Sequence, residues 1–124
     1  MATASFEGRM LRIHIGEDDR WQDKPLCEAL VYRCLQLGIE NVTVYRGLEG
    51  FGTSAKVHHA RTWPFSKEAP IMISVIDTEP RIQELLPHLD AMVSEGLVAI
   101  SAVEVIRYAS VIPEASHPPL LKSI

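Results

Sequence analysis

Four short stretches of the chain have the alternating or continuously apolar pattern of β-strands. In the first of them Leu11, Ile13 and Ile15 would share one face, while Arg12 and His14 would point to the other. The four stretches are Met10–Ile15, Val42–Tyr45, Ile71–Ile76 and, within Leu97–Tyr108, the segment Val103–Tyr108. The pattern therefore predicts four strands.

Apolar residues recur at helical spacing in two further stretches. The first follows Asp23, a candidate N-cap, carries Cys27, Leu30, Val31, Cys34 and Leu35 on one face, and ends near Leu37 before a left-handed cap at Gly38. The second is capped by Asp77 or Thr78, runs from Ile82 to Val93 and is closed by Gly96. Pro87 lies inside it, so we expect a kink or a division into two short helices.

The resulting order, β-α-β-β-α-β, predicts an α+β protein of the ferredoxin-like class, a four-stranded antiparallel sheet with both helices on one face. We expect a domain at residues 10–108 between an N-terminal tail at 1–9 and a C-terminal tail at 109–124. The uncovered sheet face would be too apolar for a fully wet surface, which predicts a partner, and self-association is the simplest one. Its residues would be Arg12, His14, Thr43, Tyr45, Met72, Ser74 and Ile76.

Composition limits the class of protein. The chain has 124 residues, enough for one domain, and no apolar run approaches the roughly 18 residues of a membrane span. Residues 1–8 have no feature of a secretory signal, so we expect a soluble, cytoplasmic protein. Cys27 and Cys34 are too far apart along one helix to form a disulfide and are expected to be buried thiols. The net charge of -4 argues against nucleic-acid binding.

A glycine-punctuated basic loop, Tyr45 to Ala69, separates the second and third strands. Four basic residues face one acidic residue between Tyr45 and Lys67, a local charge of +3 in a chain of net charge -4. Gly47, Gly50 and Gly52 allow turns and close approach of a ligand to the backbone. No helix begins after these glycines, so the loop is neither a P-loop nor a dinucleotide fingerprint. It predicts an anionic ligand or partner.

Three segments resemble the PII-like family catalogued as domain of unknown function 190. They are IGEDDRWQDKPLCEAL from Ile15, GIENVTVYRGLEGFG from Gly38 and EGLVAI from Glu95, and the resemblance covers about Met10 to Tyr108. It implies a homotrimer with the sheets packed towards the threefold axis. It also implies a regulatory protein, not an enzyme, that binds an adenine nucleotide between subunits and signals through a long T-loop. The target would be another protein, such as a membrane transporter or channel.

The resemblance also assigns residues. The segment 47–67 takes the place of the T-loop, and the ligand-binding residues would be Arg46, Gly47, Gly50, Phe51, Gly52, Gly96 and Arg107. The remaining basic part of the loop would contact the partner through Lys56, His58, His59, Arg61 and Trp63. Where PII proteins bring a glycine- and lysine-rich loop to the triphosphate, this chain has the shorter VSEGL with Glu95. AMP, ADP, ATP and other small anions therefore all stay open as effectors.

Two other functions deserve comparison. An acylphosphatase-like hydrolase of the same fold would use Arg20 and Asn41, but the loop around Arg20 is acidic and lacks a cradle of backbone donors. A metal-tolerance trimer would rest on His58 and His59. Neighbouring residues in an extended chain point to opposite sides, so we predict no metal site. Glu17, Asp18 and Asp19 are interpreted as a solvated turn, and Trp21 as a packing residue.

Overall fold

The computed structural model describes residues 2–47 and 69–109. Its elements are β1 (Ala2–Gly16), β2 (Arg20–Trp21), β3 (Lys24–Pro25), α1 (Leu26–Gln36), β4 (Asn41–Arg46), β5 (Pro70–Asp77), α2 (Glu79–Met92) and β6 (Leu97–Ala109). The predicted N-terminal tail is wrong, because residues 2–9 belong to β1. Most of the loop and most of the predicted C-terminal tail, residues 48–68 and 110–124, lie outside the described residues.

The predicted fold class is confirmed. The sheet has the order β4-β5-β1-β6, and every neighbouring pair is antiparallel. Along β5, inward residues alternate with half-buried ones. Leu11 and Ile13 of β1 and Ile73 and Val75 of β5 are fully buried. Together with Leu30, Cys34, Ile82 and Leu85 of the two helices, they form one core between the helices and one sheet face.

The start of α1 differs from the prediction. Gln22 and Asp23 have positive φ, 49° and 65°, and form the turn of the short β2–β3 hairpin. Aspartate tolerates this left-handed conformation better than most residues, so the sequence signal for a cap also fits a turn. The helix begins at Leu26, with Pro25 at the N-cap and no side-chain cap.

The far end of α1 is as predicted. Gly38 has a φ of 79°, and its N–H donates to Leu35 O at 3.1 Å while Ile39 N–H donates to Cys34 O at 3.0 Å. These two bonds are those of a Schellman motif, which satisfies carbonyls at the helix end. The cap turns the chain directly into β4.

Helix α2 is a single helix from Glu79 to Met92 with Pro87 inside it, so the predicted division is wrong. Pro87 is exposed, while Leu85 before it and Leu89 after it are both buried. Packing on both sides of the proline therefore keeps the two parts of the helix together. Gly96 does not close this helix but leads into β6.

The uncovered sheet face is the one that the sequence predicts. Arg12 lies opposite Ser74, which lies opposite Thr43, and His14 lies opposite Met72, which lies opposite Tyr45. These side chains point away from the buried set, because alternate residues of a strand face opposite sides. Tyr45 is 51% exposed.

Beyond the end of β5, β1 and β6 continue as a two-stranded ribbon, Ala2–Gly8 paired with Val103–Ala109. A Cβ atom at Gly8 would lie 2.8 Å from Asp77 O, the last residue of β5. The ribbon therefore passes directly against the end of β5. Within the described ranges, neither helix has the length and hydropathy that a membrane span requires.

Candidate functional site

The candidate ligand residues lie at two opposite ends of the sheet. Because β1 and β4 both run antiparallel to β5, Gly16 and Arg46 finish at the same end, beside Pro70 and Ile71. We call this the loop end, since the segment 48–68 starts and returns there. The other end, where Asp77 and the ribbon lie, is called the ribbon end.

At the loop end, Glu17 and Arg46 form a bidentate pair. Arg46 Nε donates to Glu17 Oε2 at 2.9 Å, and Nη2 donates to Oε1 at 3.0 Å. The hydrogen bonds from Arg46 lower the pKa of Glu17 against the opposing effect of burial, and the same bonds raise the pKa of Arg46. The guanidinium thus already holds a bidentate oxygen anion, which is the geometry that it would offer to a phosphate.

Glu17 also contacts the returning chain. Its N–H donates to Ala69 O at 2.9 Å, while Gly47 N–H donates to Pro70 O at 2.7 Å. Glu17 therefore holds Arg46 through its side chain and Ala69 through its backbone, one residue on each side of the loop. A substitution of Glu17 or Arg46 would therefore disturb contacts next to both ends of the segment 48–68.

Two predicted ligand glycines have a structural reason to be glycine. A Cβ atom at Gly47 would lie 2.8 Å from Pro70 Cγ. At Gly96, with a φ of 152°, a Cβ atom would lie 2.5 Å from His14 O. Both glycines therefore permit close approach of neighbouring strands at the loop end, and their role in binding stays a prediction.

At the ribbon end, Arg107 forms an ion pair with Glu40. Its guanidinium lies over the Phe6 ring, 5.7 Å from the centroid. Glu40 is fixed in turn, because its N–H donates to Asp77 Oδ2 at 3.0 Å. Asp77 Oδ1 accepts a second bond, from Thr78 N–H at 2.7 Å. Arg107 thus contacts two side chains, Glu40 and Phe6, and its own side chain is about one third exposed (34%).

One chain does not bring all the predicted ligand residues together. Arg46, Gly47 and Gly96 lie at the loop end, and Arg107 lies beside Glu40 at the ribbon end. Six residues of extended chain separate Glu40 from Arg46, about 20 Å at the rise of a strand. Gly50, Phe51 and Gly52 lie outside the described residues, as do Lys56, His58, His59, Arg61 and Trp63.

The structure separates the residues of the acylphosphatase-like alternative. Arg20 lies in the hairpin at the loop end and donates to Asp23 O at 2.6 Å. Asn41 begins β4, opposite Ile76, towards the ribbon end. Within residues 2–47 and 69–109, no three His, Cys, Asp or Glu side chains come close enough to hold a metal ion.

Three residues of the two ends escaped sequence reasoning. Glu17 is not simply a solvated turn residue, and neither Glu40 nor Phe6 stands out in the sequence. Each acts through a partner distant in the chain, so local patterns carry no signal for it. Trp21, interpreted as a packing residue, does pack against the core. Arg33 Cζ lies over the Trp21 ring, 5.6 Å from its centroid.

Comparison with known proteins gives a family and a fold. The profile of the DUF190 family, described as "Uncharacterized ACR", matches residues 8–105. A UPF0166 protein of Aquifex aeolicus is 29% identical over 98 residues, which are 79% of this chain and 92% of the relative. A UPF0166 protein of Methanocaldococcus jannaschii is 26% identical over 97 residues, 77% of this chain and 89% of the relative.

Among solved structures, this chain is similar to CPII, a nitrogen regulatory PII-like protein of Thiomonas intermedia, bound to ADP, AMP and bicarbonate. The TM-score is 0.60 at 19% identity, over 82% of this chain and 91% of CPII. A putative PII-like signaling protein of Thermus thermophilus gives a TM-score of 0.55 at 16% identity, over 83% and 91% of the two chains. These similarities show the PII-like fold.

Proposed function

This chain belongs to the DUF190 family, and we propose that it is a non-enzymatic PII-like regulator that binds an adenine nucleotide in clefts between the subunits of a homotrimer. The proposal rests on the PII-like fold and on the placement of the candidate residues. CPII, which shares the fold, has been solved with ADP, AMP and bicarbonate. The function of this chain would likewise be binding and signalling.

The single observation that supports a cleft between subunits is the separation of the loop end from the ribbon end. Glu40, which Arg107 contacts, lies about 20 Å from Arg46 along the chain of β4, farther than one phosphate group can bridge. When copies associate around a closed axis, the loop end of one subunit can meet the ribbon end of the next. Each cleft would then combine Arg46, Gly47 and Gly96 of one subunit with Arg107 of its neighbour. The uncovered sheet face, which is partly apolar, would be buried in the same assembly.

The chemistry of the loop end suggests how binding becomes a signal. A phosphate oxygen and the Glu17 carboxylate are both acceptors for the same Arg46 fork. A bound nucleotide would compete with Glu17, and Glu17 also holds Ala69 on the returning side of the loop. Binding would therefore shift the loop between two states, since a ligand shifts an equilibrium by its difference in affinity for them. AMP and ADP fit this site better than ATP, because Glu95 stands where PII proteins use positive charge.

The segment 48–68 would carry the signal to a protein target. Its basic residues and Trp63 are suited to an acidic, partly apolar surface. A membrane transporter or channel is the target class that the family resemblance suggests. The GFG sequence, Gly50 to Gly52, would supply backbone N–H groups to the nucleotide.

Isothermal titration calorimetry with AMP, ADP, ATP, cyclic AMP and bicarbonate tests the nucleotide claim. Arg46→Ala and Arg107→Ala should each weaken binding at least about tenfold, because a hydrogen bond to a charged group contributes about 1.5–3 kcal/mol. Arg9→Ala is the matched control. Arg9 has only a 3.6 Å contact with Glu79, and its substitution removes the same charge. If no nucleotide binds below millimolar concentration, or if Arg9→Ala is as harmful as the other two, the proposal is wrong.

A further inference from the structure

An apolar groove runs between α1 and the edge strand β4; neither arginine of the proposed nucleotide site lines it, but Glu17, the partner of Arg46, does. Its volume is about 580 Å³. Val31 and Leu35 line it from the helix, and Val44 and Ile71 line it from the sheet. Tyr32 is 51% exposed and Val44 is 44% exposed. Apolar side chains grouped in a groove at this exposure are typical of a binding surface.

The path of the described chain brings its last residues to one end of this groove. Helix α1 ends at Gln36, and the chain returns through Glu40 to β4, so the Leu35 end of the groove lies near Glu40. Arg107, two residues before the end of β6, contacts Glu40. The described chain therefore ends two residues beyond a contact with the segment that follows α1, although β4 and β6 are opposite edges of the sheet.

The length of these residues is sufficient. Fifteen residues span up to about 50 Å when extended. The groove follows α1 from Pro25 to Leu35, which is about 15 Å at the rise of a helix. More than half of the segment is thus available to cross from Ala109 to the Leu35 end, and the rest can fill the groove.

The composition of the segment fits the groove. Leu120 and Leu121 are adjacent apolar residues, and Pro118 and Pro119 before them have no N–H group that needs a partner. The groove is lined on its polar side by Glu17 and Glu28, while Lys122 follows the two leucines. An apolar pair followed by a cation therefore matches apolar walls with acidic neighbours.

We propose that residues 110–124 dock in this groove of the same chain, with Leu120 and Leu121 against the apolar walls and Lys122 beside Glu28. The docked segment would extend along α1 towards the base of the loop. This inference does not depend on nucleotide binding.

Cys27 lines the groove and gives a native probe of its cover, while Cys34 is buried. Burial raises the pKa of both thiols, that of Cys34 to about 11. The rate at which a thiol reagent modifies Cys27 at pH 8.5 would be measured by mass spectrometry in the full chain and in a chain ending at Ala109. We expect modification of Cys27 to be at least tenfold faster in the shortened chain. Slow modification of Cys34 in both would show that both remain folded.

Two variants of the full chain separate docking from other effects of truncation. Leu120→Asp combined with Leu121→Asp should expose Cys27 as truncation does, whereas Ser123→Ala should leave it protected. A peptide of residues 110–124 added to the shortened chain should restore protection in a saturable manner. Equal Cys27 rates in full and shortened chains would overturn the inference. So would protection that survives truncation and rises with protein concentration, because a second copy would then be the cover.

Discussion

At the scale of single residues, Arg46 would have two competing acceptors, the Glu17 carboxylate and a phosphate group of the proposed nucleotide. In the structure the guanidinium of Arg46 donates two hydrogen bonds to the Glu17 carboxylate, at 2.9 and 3.0 Å. Because the same Glu17 is bonded to Ala69, the state of Arg46 and the state of the loop are linked through one residue. The proposed sensor function needs such a link between the group that would meet the ligand and the loop.

Gly96→Ala tests whether the turn into β6 is as tight as the structure shows. The added Cβ would lie 2.5 Å from His14 O at a φ of 152°, which side chains rarely adopt. We expect the free energy of unfolding, measured with urea, to fall by about 1–3 kcal/mol. Glu95→Ala, at the exposed neighbouring position, should change it by less than about 0.5 kcal/mol. Equal values for the two variants would contradict the described backbone at Gly96.

Sequence reasoning reached some of these residues and not others. Arg46 and Gly47 follow from family resemblance, and the structure gives each a defined place at the loop end. Glu17 could not be found, because its partners Arg46 and Ala69 are 29 and 52 positions away and no periodicity connects them. The family resemblance points to Arg107 but not to its contacts with Glu40 and Phe6, for the same reason.

At the scale of elements, the interior parts of the strands were predictable and their ends were not. The alternating pattern of a strand is visible in the sequence at residues 11–15 and 71–76, because one face of each segment is buried. Residues 3–7 of the ribbon and residues 97–102 of β6 are largely exposed on both faces. Without a buried face, alternation has no reason to appear in the sequence, and pairing depends on the backbone and on the partner strand.

The loop is the element that should respond to ligand, and the two tryptophans of the chain can report on it. Trp63 lies within the loop, whereas Trp21 packs against the core. We expect ADP to change the tryptophan fluorescence of the wild-type protein and of Trp21→Phe, but not of Trp63→Phe. A change that disappears with Trp21 and persists without Trp63 would place the response in the domain instead of the loop.

At the scale of the whole molecule, the proposed division of the site between two ends would account for several features together. The loop end and the ribbon end each hold one well-supported arginine, and the uncovered sheet face offers a surface for association. A closed trimer would use the same contact three times and so form three equivalent clefts. The sequence could not show this division, because it depends on the direction of strands that are far apart in the chain.

Mixing subunits tests this central claim most directly. Arg46→Ala and Arg107→Ala chains would be unfolded together, refolded at equal amounts, checked for a trimer by sedimentation and titrated with ADP. If the cleft joins two subunits, about one quarter of the sites regain both arginines and wild-type affinity, although each variant alone binds weakly. When wild type is mixed with the double variant, a cleft between subunits again predicts wild-type affinity at about one quarter of the sites. A site within one chain predicts wild-type affinity at about one half of them. Mixed trimers that bind no better than the separate variants would contradict the account.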